Sequence, residues 1–176
     1  MRKVEVVPYN PDWGRIFETE SKLVKEALGE ITVAVHHIGS TAIPGICAKP
    51  IIDLLIEVTD IEKVDLKNSE MESLGYEVMG EYGIPERRYF RKENREGIRT
   101  YHIHMFKVAT DQVTRHLAFR DYLIAHPKEA QKYSELKMKL ARKFPTNIDG
   151  YIEGKNGFVQ EIEQKALQWF KQSGRM

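Results

Sequence analysis

The spacing of hydrophobic residues changes near residue 110 and divides the chain into two patterns. Before this point, short apolar runs are bounded by turn residues, which is typical of β-strands. These runs predict strands over residues 4–7, 32–38, 50–58, 76–82, 88–92 and 99–107. The run 50–58 is almost entirely apolar, which predicts a central strand covered on both faces.

Two helical segments are predicted among these strands. The first has Asn10 as its N-cap and Pro11 at its first helical position, and it stops at Gly29. The second covers residues 60–74, with an interruption near Asn68. Both carry apolar residues three and four positions apart, so each is expected to bury one face.

After residue 110 the spacing is helical throughout. It predicts helices over residues 110–125, 127–144 and from 148 onward, and the dipeptide His126-Pro127 separates the first two. The chain has no internal repeat and no linker-like stretch. The prediction is therefore an α+β fold in one domain over residues 1–176. Its mixed sheet with flanking helices occupies residues 1–108, and its helical C-terminal part occupies residues 109–172.

Charge limits the range of partners. Among 176 residues, 27 are Lys or Arg and 26 are Asp or Glu, so the net charge is only +1. Proteins that coat polyanions usually carry a large basic excess, so no nucleic-acid partner is expected. Basic residues are nonetheless concentrated in residues 86–107 and 111–145. These stretches are either solvated faces or surfaces toward an anionic ligand, and the sequence leaves both open.

The single cysteine and the lack of long apolar stretches indicate the compartment. Cys47 has no cysteine to pair with, so an intramolecular disulfide and a cysteine-based zinc site are excluded. Residues 1–3 are followed by mixed polar residues, which predicts no signal peptide. No apolar run reaches the roughly 18 residues that a membrane helix needs. We expect a cytoplasmic protein without a membrane partner.

The turn Gly39-Ser40-Thr41 is the first candidate site. A strand that ends in small and hydroxyl residues and enters a short helix presents backbone N–H groups to a phosphate. An ordinary capped turn has the same composition, and the tripeptide alone favours that alternative. Asp53 shifts the balance, because a carboxylate among apolar strand residues must be hydrogen-bonded, paired or metal-bound.

A resemblance to a known family rests on residues 36–58, HHIGSTAIPGICAKPIIDLLIEV. This segment resembles the signature of the GrpB-like family, a branch of the nucleotidyltransferase superfamily. Further matches follow the family order along nearly the whole chain: VxPYNPDW, LGYE, ERRYFRK, YHIHMF, RHLAFRDYLIAHP and YIEGKNGFVQEI. The resemblance implies a nucleotidyltransferase-like mixed sheet with a helical C-terminal half.

The resemblance also implies a phosphate and metal site. Superfamily enzymes hold a nucleotide triphosphate at a Gly-Ser signature and a divalent metal at an Asp-x-Asp or Asp-x-Glu pair on the next strand. Gly39-Ser40 matches the first element and Asp53 the first carboxylate, but position 55 is a leucine. Glu57 lies four residues after Asp53, about 13 Å along an extended strand, which is too far to replace the second carboxylate.

His102 and His104 offer a substitute for the missing carboxylate. Two residues apart on one strand, they share a face, and they match the strand on which the superfamily carries its third carboxylate. Together with Asp53, they are predicted catalytic residues. The same three residues are a predicted site for Mg, Mn or Zn, with His37 as a further candidate ligand. The alternative is a hydrogen-bonded pair of strand histidines without a bound ion.

Basic residues beside these motifs are predicted to hold phosphate. Arg88, within ERRYFRK, offers bidentate recognition, and strand alternation puts Arg87 and Arg91 on the opposite face from it. Lys49 precedes the strand that carries Asp53. A solvated charge at an edge strand is the alternative for Arg88. The later motif residues are interpreted as structural: Arg120, Tyr151 and Lys155.

Two functions follow from these expectations. The first is an enzyme that binds a nucleotide or another phosphate-bearing small molecule at Gly39-Ser40 and transfers a nucleotidyl group. The alternative is a non-catalytic module that binds a nucleotide or coenzyme precursor, which the missing second carboxylate favours. Family members also resemble a domain attached to a coenzyme A biosynthetic kinase, and that resemblance implies a coenzyme-related ligand. The oligomeric state is left open.

Overall fold

A computed structural model describes residues 3–174 of the chain, and five strands and five α-helices lie within that range. The strands are β1 (Thr32–Ile38), β2 (Ile52–Val58), β3 (Tyr76–Val78), β4 (Arg88–Glu93) and β5 (Arg99–Lys107). The helices are α1 (Trp13–Leu28), α2 (Asn68–Ser73), α3 (Asp111–Ala125), α4 (Pro127–Lys143) and α5 (Ile148–Gln172). Three-residue 3₁₀ turns follow α1 and β1, and a longer 3₁₀ segment, Ile61–Lys67, precedes α2.

The chain divides into two compact units, which we call the sheet unit and the helical unit. The sheet unit consists of Asp12–Ile38 and Ile51–Val113. The helical unit contains the chain from Thr114 onward, the segment Gly39–Pro50 and the N-terminal residues up to Pro11. Within residues 3–174, no helix is both long enough and apolar enough to span a membrane.

The sheet is mixed and has the strand order β1-β2-β5-β4-β3. β2 and β5 run parallel, and the other neighbours pair antiparallel. The predicted mixed sheet followed by a helical half is confirmed. β2 is an interior strand, as predicted, and lies between β5 and the edge strand β1.

The two faces of the sheet differ in chemistry. Ile52, Leu54 and Ile56 of β2 are buried on one face, which α1 covers. On this face, Phe17 of α1 stacks on His37 of β1 with ring centroids 4.7 Å apart. Because strand side chains alternate, Asp53 is directed to the opposite face, which we call the polar face. The sheet therefore buries one face for stability and carries ionisable groups on the other.

A buried ion pair anchors the β3–β4 side of the covered face. Lys92 Nζ lies 2.6 Å from Oε2 of Glu20, and the Tyr76 hydroxyl donates to the same oxygen at 2.5 Å. The Lys92 ammonium also lies over the rings of Tyr76 and Tyr101. Burial, together with the hydrogen bond to Glu20, raises the pKa of Tyr76, so its hydroxyl stays a donor. Every polar partner here is satisfied inside the unit, so we regard this network as structural.

The core of the helical unit forms between its helices and the segment Gly39–Pro50. Ile43 and Ile46 pack in one cluster with Ala118, Tyr133 and Ile162. Where α4 ends and α5 begins, two glycines allow close packing. A methyl group on Gly150 would meet the ring of Phe144 at 2.6 Å, and one on Gly154 would clash with the side chain of Leu140.

Three predicted elements differ from the structure. The strand expected over residues 4–7 is reduced to one bridge, Val7 to Ala48. The N-cap of α1 is Asp12 rather than Asn10, so the helix begins two residues after Pro11. The strand expected over residues 76–82 ends at Val78, because Gly80 and Tyr82 both adopt positive φ and turn the chain out of the sheet.

Other predicted boundaries are confirmed. The bounds of β1 and β5 match the predicted strands, and α1 stops at Gly29, which has φ +65°. The interruption near Asn68 is the point where a 3₁₀ segment passes into α2. His126 and Pro127 separate α3 from α4, with proline at the first turn of α4.

Candidate functional site

Asp53 is the centre of a polar cluster on the polar face of the sheet. In the parallel pair of β2 and β5, Asp53 is the register partner of His102, and Leu55 is the partner of His104. The His102 Nδ1 atom lies 3.4 Å from Oδ1 of Asp53, and the His104 Nε2 atom lies 3.8 Å from the same oxygen. The structure thus brings together the three residues that the sequence predicted as catalytic.

The surroundings of Asp53 favour its ionised form. Burial by itself would raise the pKa of this carboxyl, but the N–H groups of His102 and His104 and the electrostatic attraction of both rings outweigh it. The net effect is a pKa of Asp53 well below its ordinary value of 3.8. About a quarter of the side chain remains exposed (25%). Asp53 is therefore a carboxylate at neutral pH and acts as an acceptor.

Arg87 determines which nitrogen of His104 carries the proton. The Nη1 atom of Arg87 lies 3.2 Å from Nδ1 of His104. A guanidinium has no acceptor, so Nδ1 of His104 must accept this hydrogen bond. The ring proton then lies on Nε2, the nitrogen that faces Asp53. The contact requires neutral His104, because a protonated ring would direct a second N–H at the guanidinium.

His102 presents a nitrogen without a partner. A carboxylate only accepts, so the Nδ1 atom that faces Asp53 carries the proton and Nε2 keeps its lone pair. This Nε2 is buried and has no hydrogen-bond partner among residues 3–174. Tyr89 lies against both histidine rings, with centroids 5.7 Å from His102 and 5.3 Å from His104. A buried imidazole nitrogen of this kind is equipped to take a proton from a ligand.

The arginine that joins the cluster is Arg87, and the prediction for Arg88 is corrected. Arg88 is the register partner of Met105, which places it on the covered face of the sheet. There its guanidinium binds both carboxylate oxygens of Asp65, at 2.8 and 3.1 Å. Arg87 precedes β4 and is 6% exposed. It is held by the carbonyl oxygens of Glu81 and Tyr82, at 3.1 and 2.9 Å.

Arg91 shares the polar face but has its own acid partner. It is the register partner of His102, as alternation predicted when it put Arg91 on the face opposite Arg88. Its guanidinium binds Glu77 at 3.1 Å and lies over the ring of Tyr82. Arg91 therefore adds an ion pair beside the cluster.

His36, and not His37, is the β1 histidine on the same face as Asp53. The prediction that His37 joins Asp53 at a metal site is therefore corrected. Ile38 is the register partner of Asp53, so two-residue alternation places His36 on the polar face and His37 on the covered face. His36 Nε2 lies 2.8 Å from Oε2 of Glu57. The other oxygen of Glu57 accepts the Ala109 N–H at 3.1 Å. Glu57 thus has its own partners, in line with its exclusion as a second metal carboxylate.

The turn at Gly39 forms in the helical unit. Gly39 has φ +76° and ψ −176°, a conformation that is essentially restricted to glycine. The N–H groups of Ala42 and Ile43 donate to the carbonyls of Gly39 and Ser40. Thr41 was expected to contact the phosphate, but its side chain is only 3% exposed and does not line an open cradle. The role of Gly39 and Ser40 in phosphate binding stays a prediction.

Lys49 also lies in the helical unit and contacts a residue interpreted as structural. Its Nζ atom lies 5.7 Å from the ring centroid of Tyr151, a cation–π contact. Tyr151 is fully buried, and Arg120 binds its chain neighbour Asp121 at 2.8 Å. Sequence reasoning missed another lysine of this unit, Lys137, which occupies a buried position on α4.

The donor set around Asp53 does not match a metal centre. Among residues 3–174, no group of three or more His, Cys, Asp or Glu side chains is arranged to hold a metal ion. The guanidinium of Arg87 beside His104 adds a positive charge that disfavours a cation at that ring. The Mg, Mn or Zn ion suggested for Asp53, His102 and His104 stays a prediction.

Comparisons with known proteins identify related chains. The family model described as GrpB protein matches residues 3–165. The chain is 45% identical to UPF0157 protein YqkA of Bacillus subtilis over 97% of its length. It spans about half of that relative (49%). It is also 45% identical to a solved structure, conserved protein GrpB from Enterococcus faecalis, with a TM-score of 0.90. That alignment covers 94% of this chain and 99% of the other.

A more distant match concerns a longer protein. A dephospho-CoA kinase of Mycolicibacterium paratuberculosis is 24% identical over 97% of this chain, and the alignment covers 48% of the kinase.

Proposed function

The chain belongs to the GrpB family, and on that premise we propose that it binds a phosphate-bearing small molecule and uses His102 as a general base. The observation that carries the proposal is the Asp53–His102 pair, which leaves Nε2 of His102 buried and without a partner. Buried polar atoms in native proteins are nearly always hydrogen-bonded, so an orphaned imidazole nitrogen indicates a functional role.

In the proposed mechanism, Asp53 orients His102 and stabilises its charge. The carboxylate accepts from Nδ1–H, and Nε2 removes a proton from a ligand hydroxyl or water. The resulting imidazolium lies beside the ionised Asp53, which lowers the free energy of the charged state. His104, kept neutral by Arg87, faces the same carboxylate with Nε2 at 3.8 Å and adds an electrostatic contact to it. Base catalysis by a positioned side chain typically contributes about 10²–10⁴-fold to a rate.

The proposed phosphate contacts are Gly39, Ser40 and Lys49. They follow the Gly-Ser signature of the nucleotidyltransferase superfamily, to which we propose that the family belongs. The match to a protein named dephospho-CoA kinase supports nucleotides and coenzyme A precursors as the ligand class. Under this proposal the reaction is transfer of a nucleotidyl group: the acceptor hydroxyl loses its proton to the base, its oxygen attacks the α-phosphorus of a nucleoside triphosphate, and pyrophosphate leaves.

A non-catalytic binding module is the second candidate function, and one observation favours it. Leu55 is fully buried where superfamily enzymes carry their second metal carboxylate, and Glu57 is engaged by His36 and Ala109. A chain without that carboxylate lacks the usual two-metal route. In this alternative the same residues recognise a ligand and transfer nothing.

A thermal-shift screen of nucleotides and coenzyme A precursors tests the proposal, with and without Mg, Mn and Zn. A ligand at 100 times its Kd should stabilise the protein by about 2.7 kcal/mol. Turnover of each stabilising ligand is then followed by phosphorus NMR in wild type, His102→Gln and the control His36→Gln. We expect His102→Gln to bind the ligand and to lose about 10²–10⁴-fold in rate, and the control to retain its rate.

The outcomes separate the two functions. Binding without turnover in wild type supports the binding module. Equal rates in wild type and His102→Gln contradict the assignment of the base. A screen in which no phosphate compound stabilises the protein contradicts both functions.

A further inference from the structure

Three lysine side chains gather around two tyrosines in the helical unit. The Nζ atoms of Lys49 and Lys155 lie 5.7 and 5.5 Å from the ring centroid of Tyr151. Lys137 Nζ lies 4.4 Å from the ring centroid of Tyr133. The charges of Lys137 and Lys155 are close enough to repel each other. We call these three residues the lysine cluster.

Lys137 is a buried cation without an acidic partner. It is 2% exposed, and its hydrogen-bond acceptor among residues 3–174 is the carbonyl oxygen of Cys47. An ammonium group has three N–H donors, so this bond uses only one of them. Lysine is almost never fully buried unless it is paired. The usual partner, a carboxylate, has no contact with Lys137 in the described part of the chain.

Lys137 is not needed to fix the segment that contains Cys47. Ser134, one turn earlier on α4, already accepts the Cys47 N–H through its hydroxyl at 3.0 Å. The Cys47 thiol in turn donates to the Ser134 carbonyl at 3.1 Å. These two bonds hold Cys47 against α4. The position itself is apolar in character, because its neighbours on the buried face of α4 include Tyr133 and Leu140, so burial alone does not explain a lysine there.

The ionisable groups that act on Lys137 do not neutralise it. Burial lowers the pKa of Lys137 to about 7, the Cys47 thiol opposes this and Lys155 adds to it. Burial also raises the pKa of Tyr151, so this phenol stays neutral and is not a counter-ion. Among residues 3–174, the charged groups that face Lys137 therefore include no carboxylate. A bound anion would supply the missing negative charge and the missing acceptors.

We propose that Lys49, Lys137 and Lys155 form the anion-binding site that holds the phosphate group of the ligand. Lys137 provides N–H donors from the buried side, and Lys49 and Lys155 provide charge from partly exposed positions on the ring of Tyr151. This inference rests on the proposed phosphate binding and deepens it by naming the cationic side chains. It does not depend on the acid–base role of His102, which lies in the sheet unit.

Calorimetric titration of the full chain with inorganic pyrophosphate tests the site. The variants are Lys155→Met, Lys49→Met and Lys137→Met, and the matched control is Lys139→Met, which removes an exposed charge from the same helix as Lys137. We expect each cluster variant to lose affinity by about tenfold or more and the control to change it less than about twofold. Circular dichroism confirms folding, and Lys155→Met and Lys49→Met suffice where Lys137→Met fails to fold.

A sulfate titration at pH 6 and pH 9 adds an independent readout, because the charge of sulfate does not change in this range. In wild type, the affinity for sulfate should be lower at pH 9 than at pH 6, because Lys137 loses its proton. In Lys137→Met the decrease in sulfate affinity should be smaller, because the contribution of Lys137 is absent. Equal pyrophosphate affinity in wild type and the cluster variants overturns the site while phosphate binding stands. Absence of pyrophosphate binding in wild type at millimolar concentration overturns both.

Discussion

The polar cluster of the sheet unit and the lysine cluster of the helical unit bury charge in opposite ways. Around Asp53, the charge is balanced inside the protein, because two imidazoles and, through His104, a guanidinium surround one carboxylate. Around Lys137, like charges accumulate and one buried ammonium has a single carbonyl acceptor. A buried cluster in which opposite charges face each other can hold a proton at a fixed atom without a ligand. A buried cation with one neutral acceptor needs an anionic ligand to supply the missing charge and hydrogen bonds.

The network of Glu20, Tyr76 and Lys92 shows what a structural cluster looks like in the same chain. Its carboxylate, hydroxyl and ammonium satisfy one another, and no atom of it is among the buried polar atoms without a partner. In the Asp53 cluster, one buried polar atom, Nε2 of His102, has no hydrogen-bond partner among the described residues. The lysine cluster differs from it at Lys137, which contacts no carboxylate among residues 3–174.

Removal of the compensating cation from the Asp53 cluster should have the largest effect. We expect Arg87→Met to lower the free energy of unfolding by about 3–5 kcal/mol, because it breaks hydrogen bonds of a buried charged group to Glu81, Tyr82 and His104. The matched variant Arg88→Met removes a partly exposed pair with Asp65 and should cost below about 1 kcal/mol. Urea denaturation of both variants measures the difference.

Equal stability losses in Arg87→Met and Arg88→Met would show that the two arginines are interchangeable, in contradiction to the assignment of Arg87 as the residue that holds His104.

Removal of the buried charge from the lysine cluster should have a smaller effect that depends on pH. The pKa of Lys137 is lowered in the folded protein to about 7 from an ordinary 10.5, so the unfolded chain binds more protons between these values. Stability from this group therefore rises with pH above about 7, by at most about 1.4 kcal/mol per pH unit. The advantage of Lys137→Met over wild type should shrink from pH 7 to pH 9 by about 1–3 kcal/mol.

Melting temperatures of wild type and Lys137→Met at the two pH values measure this change, with Lys139→Met as the control for loss of an exposed charge. A difference between wild type and Lys137→Met that stays constant or grows with pH would contradict the buried, unpaired ammonium.

Sequence patterns predicted the Asp53 cluster because local rules determine it. Alternation places His102 and His104 on one face, and the family match placed their strand beside that of Asp53. The bounds of β1 and β5 were also predictable, because runs of β-branched and aromatic residues end at glycine or at a change of periodicity. Tertiary pairing was needed only to bring the carboxylate to the histidines.

Features outside a regular element could not be predicted in this way. Alternation predicted that Arg87 lies on the face opposite Arg88, but the register of β4 against β5 was needed to show which of the two shares the face of Asp53. The other contacts of Arg87 depend on the turn that contains Glu81 and Tyr82. The choice between His36 and His37 required the register of β1 against β2. The segment 4–7 has strand-like composition, but only Val7 forms a β-bridge, and the Val4 N–H donates to the carbonyl oxygen of Pro145.

Lys137 did leave a signal in the sequence. The buried face of α4 contains Ala130, Tyr133 and Leu140, and Lys137 follows Tyr133 by four positions and precedes Leu140 by three. A lysine at a position of the apolar face is unusual, and helical periodicity could have identified it. Its lack of an acidic partner follows only from the three-dimensional packing.

The assignment of Nε2 of His102 as the base can be tested by nitrogen NMR of the histidine rings, because it requires a defined tautomer of each imidazole. At pH 8 the account predicts a proton on Nδ1 of His102 with Nε2 unprotonated, and a proton on Nε2 of His104 with Nδ1 unprotonated. Asp53→Leu should remove the preference of His102, and Arg87→Met that of His104. A proton on Nε2 of His102 in wild type, or on Nδ1 of His104, would contradict the account.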